Sequence, residues 1–262
     1  MEPTDFEENV EARPRGPGDG RYVWPSARPG CYHARLMSQA PGEIKLYRSF
    51  KTYGGLKPAY LNLRYRLNAN RLGHRRELGI WLNAQGLTGA GAEIGVKEAK
   101  YSERILHHWK GRLLYSIDPW REFSPEIYRD GANVPADEQE AFLAEARFRL
   151  ARFGERSKIL RLTSEEASRE IPDGSLDFAY LDAQHHYEAV KEDIGLWYPK
   201  IKPGGLLGGH DYFDLVSKDP ATGLVTVFEV KRAVDEFVGN NPRHDFFATT
   251  KDRLASWFVR KP

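Results

Sequence analysis

Cysteine is nearly absent. The 262-residue chain has one, Cys31, which excludes an intramolecular disulfide and any metal site built on several thiolates. That scarcity suits a reducing compartment, so a cytoplasmic location is the expectation. A surplus of one charge is also missing: 39 Lys and Arg stand against 37 Asp and Glu, a net charge of +2. Nucleic-acid binders usually carry a basic excess, and no such partner is expected. No run approaches the roughly 18 apolar residues of a membrane span. Residues 1–20 are polar, without the apolar stretch of a secretory signal. Hydrophobic residues still make up 40% of the chain, enough for one sizeable core with a smaller appendage.

A G-x-G-x-x-G dinucleotide signature is missing as well. In its place stands AEIGVKEAKYSERILHHWKGRLLYSIDPW, residues 92–120. An apolar run meets a glycine turn, then an amphipathic stretch, then a second apolar run that ends in Asp118. This reads as strand, turn, helix and strand, the frame in which an open α/β sheet holds a nucleoside. The helix amino terminus supplies N–H groups, and an acid roughly 20 residues past the glycine suits ribose hydroxyls. Glu93 precedes the single tight Gly95. That acid would repel a pyrophosphate and favour a cationic cofactor. The plainer alternative for Asp118 is an Asx turn before Pro119.

Residues 1–30 are polar and rich in Pro and Gly, and 1–42 read as a flexible segment. Residues 43–88 mix Leu with Arg and read as a helical cap or lid, helical over 75–82 and stopping near Gly86. Residues 89–262 alternate strands and helices. Strands are expected at 91–94, 113–117, 157–161, 176–181 and 206–209, with a late pair at 245–249 and 255–259. Helices are expected through 108 and over 137–153, 164–170, 187–198 and 226–238. KPGG at 202–205 reads as a turn, and 121–135 and 213–225 as irregular, with Gly223 a candidate hinge. Thr163 or Ser164 would cap its helix, with Glu165 or Glu166 in the first turn. Such alternation implies a mostly parallel sheet with right-handed crossovers.

The strongest local signal is SLDFAYLDAQHHYEAVKEDIGLWYPKIKPGGLLGGHDY, residues 175–212. Together with the Glu93–Gly95 turn and Asp118, it resembles class I S-adenosylmethionine (SAM) methyltransferases of the family 24 type. It is also similar to metal-dependent sugar O-methyltransferases that modify antibiotics. The resemblance implies an α/β, Rossmann-like sheet, mostly parallel and seven-stranded, with the last strand antiparallel and an N-terminal helical cap. It implies SAM as cofactor, with Glu93 and Gly95 at its amino-acid end, Asp118 on the ribose, Ser164 near the adenine and Asp182 also in contact. It implies a divalent metal, Mg or Mn, on Asp182, His210 and Asp211, with His185 as general base. The antibiotic enzymes carry an acid where this chain has His210. Magnesium prefers oxygen, whereas imidazole suits Mn, Fe, Co or Zn. The implied acceptor is a small hydroxylated molecule, a sugar or glycosylated natural product, and family habit suggests a homodimer.

The residue types suit that chemistry. A hydroxyl is a poor nucleophile until it loses its proton, which a bound metal acidifies and a base removes. Other readings stay open at this level. Asp182 could cap the next helix, His186 could replace His185, and His210 could be a buried hydrogen-bonding histidine. His107 and His108 read as structural. Trp120 and Tyr212 line an acceptor pocket or belong to the core. The chain as a whole could be a non-catalytic SAM- or nucleoside-binding module, a metal-independent or N-methylating enzyme, or an iron-dependent relative.

Overall fold

The computed structural model describes residues 61, 63, 65, 71–124, 128, 132–218 and 225–262. The expected flexible segment 1–42, most of 43–70 and the candidate hinge Gly223 lie outside the described residues.

Among the described residues nine strands are formed: β1 Ala90–Ile94, β2 Leu113–Ile117, β3 Ser157–Leu160, β4 Leu176–Leu181, β5 Ile201–Gly209, β6 Asp214–Lys218, β7 Val225–Glu229, β8 Asp245–Ala248 and β9 Trp257–Arg260. Seven of them build one sheet in the order β3-β2-β1-β4-β5-β9-β8. The pairs among β1 to β5 are parallel, and β9 runs antiparallel to both β5 and β8. Every residue of β1 and β4 is buried, as expected of parallel strands covered on both faces.

Helices cover both faces. On one side lie α1 Leu78–Ala84, α2 Lys100–His108 and α3 Ala136–Ala151. Their core includes Trp81, Trp109, Leu143 and Phe178. On the other lie α4 Ser164–Glu170, α5 Tyr187–Trp197 and α6 Val230–Gly239, packed around Ile94, Leu176, Trp197 and Trp257. Truncating one of these buried Trp residues to Ala would cost about 3–5 kcal/mol. The 75–82 stretch opens with a 3-10 turn, Arg75–Glu77, before α1.

Two local expectations are corrected. The KPGG segment is not a free turn but part of β5, whose register with β4 shifts there. Gly204, at φ +78, absorbs the irregularity, as glycine does at a bulge. Residues 225–229 are strand, not helix. Their Val-Thr-Val-Phe run has β-branched and aromatic character, and it pairs antiparallel with 214–218, a stretch expected to be irregular. The chain's last strand, β9, is antiparallel as expected, and it inserts between β5 and β8.

Candidate active site

A cleft of about 510 Å³ opens at the carboxyl ends of β1, β2, β3 and β4, and Glu93, Gly95, Asp118, Ser164, Asp182 and His185 all line it. Its floor begins at the loop after β1. Gly95 adopts φ +83, and a Cβ there would sit 2.0 Å from the Asp182 carbonyl oxygen. The next alternate positions, Lys97 and Ala99, are also left-handed, at φ +50 and +59. The backbone thus makes three left-handed turns while spending glycine on only the most crowded one.

Asp118 secures this loop. Its Oδ2 accepts from the N–H of Val96 at 3.0 Å and of Lys97 at 2.9 Å, and its Oδ1 from Trp120 N at 2.9 Å. Burial raises its pKa, although these three N–H groups oppose the shift. The Asx turn and the cleft-lining position therefore coexist in one side chain. Trp120 is 1% exposed, and its indole N–H reaches the Lys97 carbonyl at 2.9 Å. It is a core residue that clamps the loop, and Tyr212 packs on Phe246 at 5.4 Å.

Glu93 is 2% exposed. The Ser102 hydroxyl donates to its carboxylate and lies 2.8 Å from Ser116 Oγ. Burial pushes its pKa up to about 8; the Ser102 bond opposes this, Asp182 adds to it and Arg75 opposes it. No ion pair to Glu93 is found among the described residues.

At the β3 exit, Thr163 and Glu166 form a reciprocal capping box on α4. Ser164, the first helical residue, donates to Asp193 of α5 and accepts from the Trp197 indole at 2.8 Å. Asp193 lines the cleft too. It was given no role from the sequence. Its spacing held the signal, since it falls on the buried helical stripe of Val190, Ile194 and Trp197.

The third part lies past β4 and β5. His185 Nε2 stands 3.2 Å from Asp211 Oδ2, and His210 Nδ1 stands 2.9 Å from Asp211 Oδ1 and 3.8 Å from Asp182 Oδ1. The potential ligand atoms of Asp182, His185 and Asp211 lie within 4.8 Å of one another. His185 occupies the place in this triplet that the sequence pattern gives to His210. Burial acts to raise Asp211, but hydrogen bonds from His185 and His210 prevail and hold it below the usual carboxylate range. Asp182 is raised, chiefly by burial, with His210 opposing. Phe228 of β7 packs against the His185 ring, with centroids 4.5 Å apart and the planes tilted by 31°, and the Glu229 N–H donates to the His185 carbonyl at 2.8 Å. His186 is the N-cap position of α5 and makes no side-chain cap.

Arg75 also reaches this cluster, a contribution the sequence reading did not foresee. Its Nη1 lies 3.4 Å from Asp182 Oδ2 and 3.5 Å from the Tyr180 hydroxyl, and its guanidinium sits 5.0 Å over the Tyr101 ring. Asp252 accepts from the Arg75 N–H at 2.9 Å, and the Tyr101 hydroxyl donates to its carbonyl at 3.0 Å. Both backbone groups of Arg75 are thereby fixed.

Comparison with known proteins agrees with this geometry. Residues 92–212 match the methyltransferase family 24 model, a methyltransferase domain. The fold is similar to that of an O-methyltransferase from Bacillus cereus solved with S-adenosylhomocysteine (SAH). The TM-score is 0.50 at 13% identity, covering 79% of this chain and 90% of that one. It is likewise similar to cofactor-bound Rv0187 from MTB, at TM-score 0.50 and 14% identity, covering 80% and 92%. The uncharacterized protein y4gI of Sinorhizobium fredii is 40% identical over 55 residues, 21% of this chain. The match spans 6% of that curated relative's length. Residues 92–212 thus match a methyltransferase domain, and the sheet that carries them is Rossmann-like. Among the described residues, no helix is long and apolar enough to cross a membrane.

Proposed function

We propose that this protein transfers the methyl group of SAM to a hydroxyl of a small acceptor, a sugar or glycosylated natural product. The observation that carries the reading is convergence: Asp182, His185 and Asp211 meet beside the same cleft that Glu93, Gly95 and Asp118 line. Glu93 and Gly95 take the amino-acid end of the cofactor, where a buried acid favours an ammonium. Asp118 sits at the ribose position.

Two carboxylates and one imidazole are a donor set that fits a divalent ion tolerant of mixed oxygen and nitrogen, Mn more readily than Mg. Asp182, His185 and Asp211 would hold it. When bound, such an ion lowers the pKa of an acceptor hydroxyl.

A second reading has its own support. Without an ion, both carboxylates have partners within the chain: Arg75 faces Asp182, and two imidazoles lie beside Asp211. Asp211 then orients His185 and stabilises its imidazolium, and His185 takes the acceptor's proton as a metal-independent base.

Methyl transfer from labelled SAM to a panel of hydroxylated acceptors, with EDTA or with added Mn, separates these readings. Loss with EDTA and recovery with Mn supports the metal; indifference to EDTA supports the His185–Asp211 pair. Either way, His185→Ala should lower turnover about 10²–10⁴-fold with SAH binding kept. Full turnover in that variant would remove His185 from the mechanism. SAH binding with no turnover on any acceptor would favour a binding module.

A further inference from the structure

The two carboxylates past β4 and β5 have partners of different kinds. Asp211 lies beside two imidazoles, groups that can lose a proton and serve as metal ligands. Asp182 instead faces Arg75. A guanidinium stays charged at every working pH and has no lone pair to offer a metal. Its Nη1 lies 3.4 Å from Asp182 Oδ2, longer than a charge-assisted hydrogen bond of about 2.7–2.9 Å. The contact therefore acts mainly as a positive charge set beside the carboxylate.

That charge is fixed in place. Asp252 accepts from the Arg75 N–H, the Tyr101 hydroxyl donates to the Arg75 carbonyl, and the guanidinium lies over the Tyr101 ring. Asp252 also pairs with His74 at 2.6 Å. The loop between β8 and β9, which carries Asp252, is tied to Gly73. The Gly73 carbonyl accepts from the N–H groups of Thr250 at 3.3 Å and Lys251 at 3.0 Å. A loosely held arginine would swing out to admit a second cation; this one is held at its backbone and over its ring.

We infer that Arg75 is the resident cation of Asp182 and sets a low affinity for divalent ions at the Asp182, His185 and Asp211 cluster. An ion bound there shares Asp182 with a fixed guanidinium, and two cations on one carboxylate repel each other. This rests on the proposed reading of those three side chains as a donor set, and it favours the reading in which His185 works without an ion. Arg75 acts through Asp182, as a positioning residue.

Calorimetric titration of the full chain with Mn(II) alone, at pH 8, tests this without turnover. Arg75→Met removes the charge and keeps an apolar stem against Tyr101. It should bind Mn roughly 10–1,000-fold more tightly than wild type, the scale of a screened repulsion between a guanidinium and a divalent ion. Arg75→Lys keeps the charge and should stay within about 5-fold of wild type, a split that a merely structural role would not produce. Adding Asp211→Asn to Arg75→Met should abolish the gain. If Arg75→Met does not fold, Arg75→Gln carries the same expectation. A gain that survives Asp211→Asn would overturn the inference, because the ion then sits elsewhere. So would a gain in Arg75→Lys as large as in Arg75→Met. Equal affinity in wild type and Arg75→Met, abolished by Asp211→Asn, overturns only the inference and leaves the donor set standing. No Mn bound by wild type or by any variant overturns both.

Discussion

Glu93 and Asp211 are both buried carboxylates on one cleft, and the protein treats them in opposite ways. Glu93, at the β1 exit, has a hydroxyl for company and is pushed up to about 8. Asp211, past β5, has two imidazoles and is held below the ordinary carboxylate range. The first region carries an electrostatic deficit that a cationic ligand would relieve. The second has imidazoles from the chain itself beside its carboxylate. Burial raises both acids; the imidazoles that the fold brings to Asp211 reverse it there, and the Ser102 hydroxyl at Glu93 does not. Under the proposed function, the Glu93 end is completed by a ligand, while the cluster past β4 and β5 draws its partners from the chain.

The largest expected effect comes where the two regions touch. Gly95 lies against the Asp182 backbone. Gly95→Ala combines a strained left-handed residue with a steric clash against backbone, which should destabilise by roughly 3 kcal/mol or more. The melting temperature should fall by at least about 6 °C, and SAH binding should be lost. A variant that melts within 2 °C or so of wild type would mean that the β1 loop and the Asp182 segment are not tightly coupled.

The next effect sharpens the contrast through pH. Glu93 has a folded pKa of about 8 against an ordinary value of 4.5. Its ionisation therefore opposes folding: the penalty is absent below about pH 4.5 and complete above about pH 8. At roughly 1.4 kcal/mol per unit, the ceiling is about 5 kcal/mol. Asp193, at about 7, adds a smaller slope of the same sign. Asp211 acts oppositely. Its folded pKa is lowered, so its stabilisation is present above the ordinary value of 3.8 and disappears as pH falls through the folded value. Ligand-free stability should thus fall between pH 5 and 8, and Glu93→Gln should remove most of that slope. The same variant should melt higher than wild type at pH 8 and bind SAH poorly. Calorimetry in buffers of different ionisation enthalpy should show up to about one proton released per SAH bound near pH 7. Identical pH slopes in wild type and Glu93→Gln would cancel the proposed deficit.

How much of this was legible in the chain depends on range. β2 and β4 fall where their apolar runs fall, because a strand buried on both faces writes itself as a continuous hydrophobic stretch. The Thr163–Glu166 capping box is equally local. The hairpin of β6 and β7 was hidden because Val-Thr-Val-Phe acquires meaning only with a partner strand. Arg75 was hidden for a similar reason: its carboxylate lies 107 positions away. The exchange between His185 and His210 could not be read either. It turns on local backbone at Asp211, which is left-handed at φ +52, and on Phe228 seating the His185 ring. The chemistry-bearing letters stand out in sequence, while the pairing among them is a property of the loops.

The smallest effect tests whether the left-handed path of the β1 loop belongs to the fold or to its glycine. Lys97 holds φ +50, a conformation that disfavours any side chain by roughly 1–2 kcal/mol. Its ammonium sits 4.8 Å over the Phe142 ring, a contact that returns about 0.5–1 kcal/mol at most in an exposed setting. Glycine also loses more entropy on folding. The difference leaves Lys97→Gly neutral to stabilising, by up to about 1 kcal/mol, or a rise of roughly 2–4 °C in melting temperature. The carbonyl that Trp120 grips and the N–H that Asp118 accepts are both backbone groups, so SAH affinity should stay within a few-fold. A clear loss of stability would show that the Lys97 side chain, and not the Asp118–Trp120 clamp on its backbone, fixes the loop.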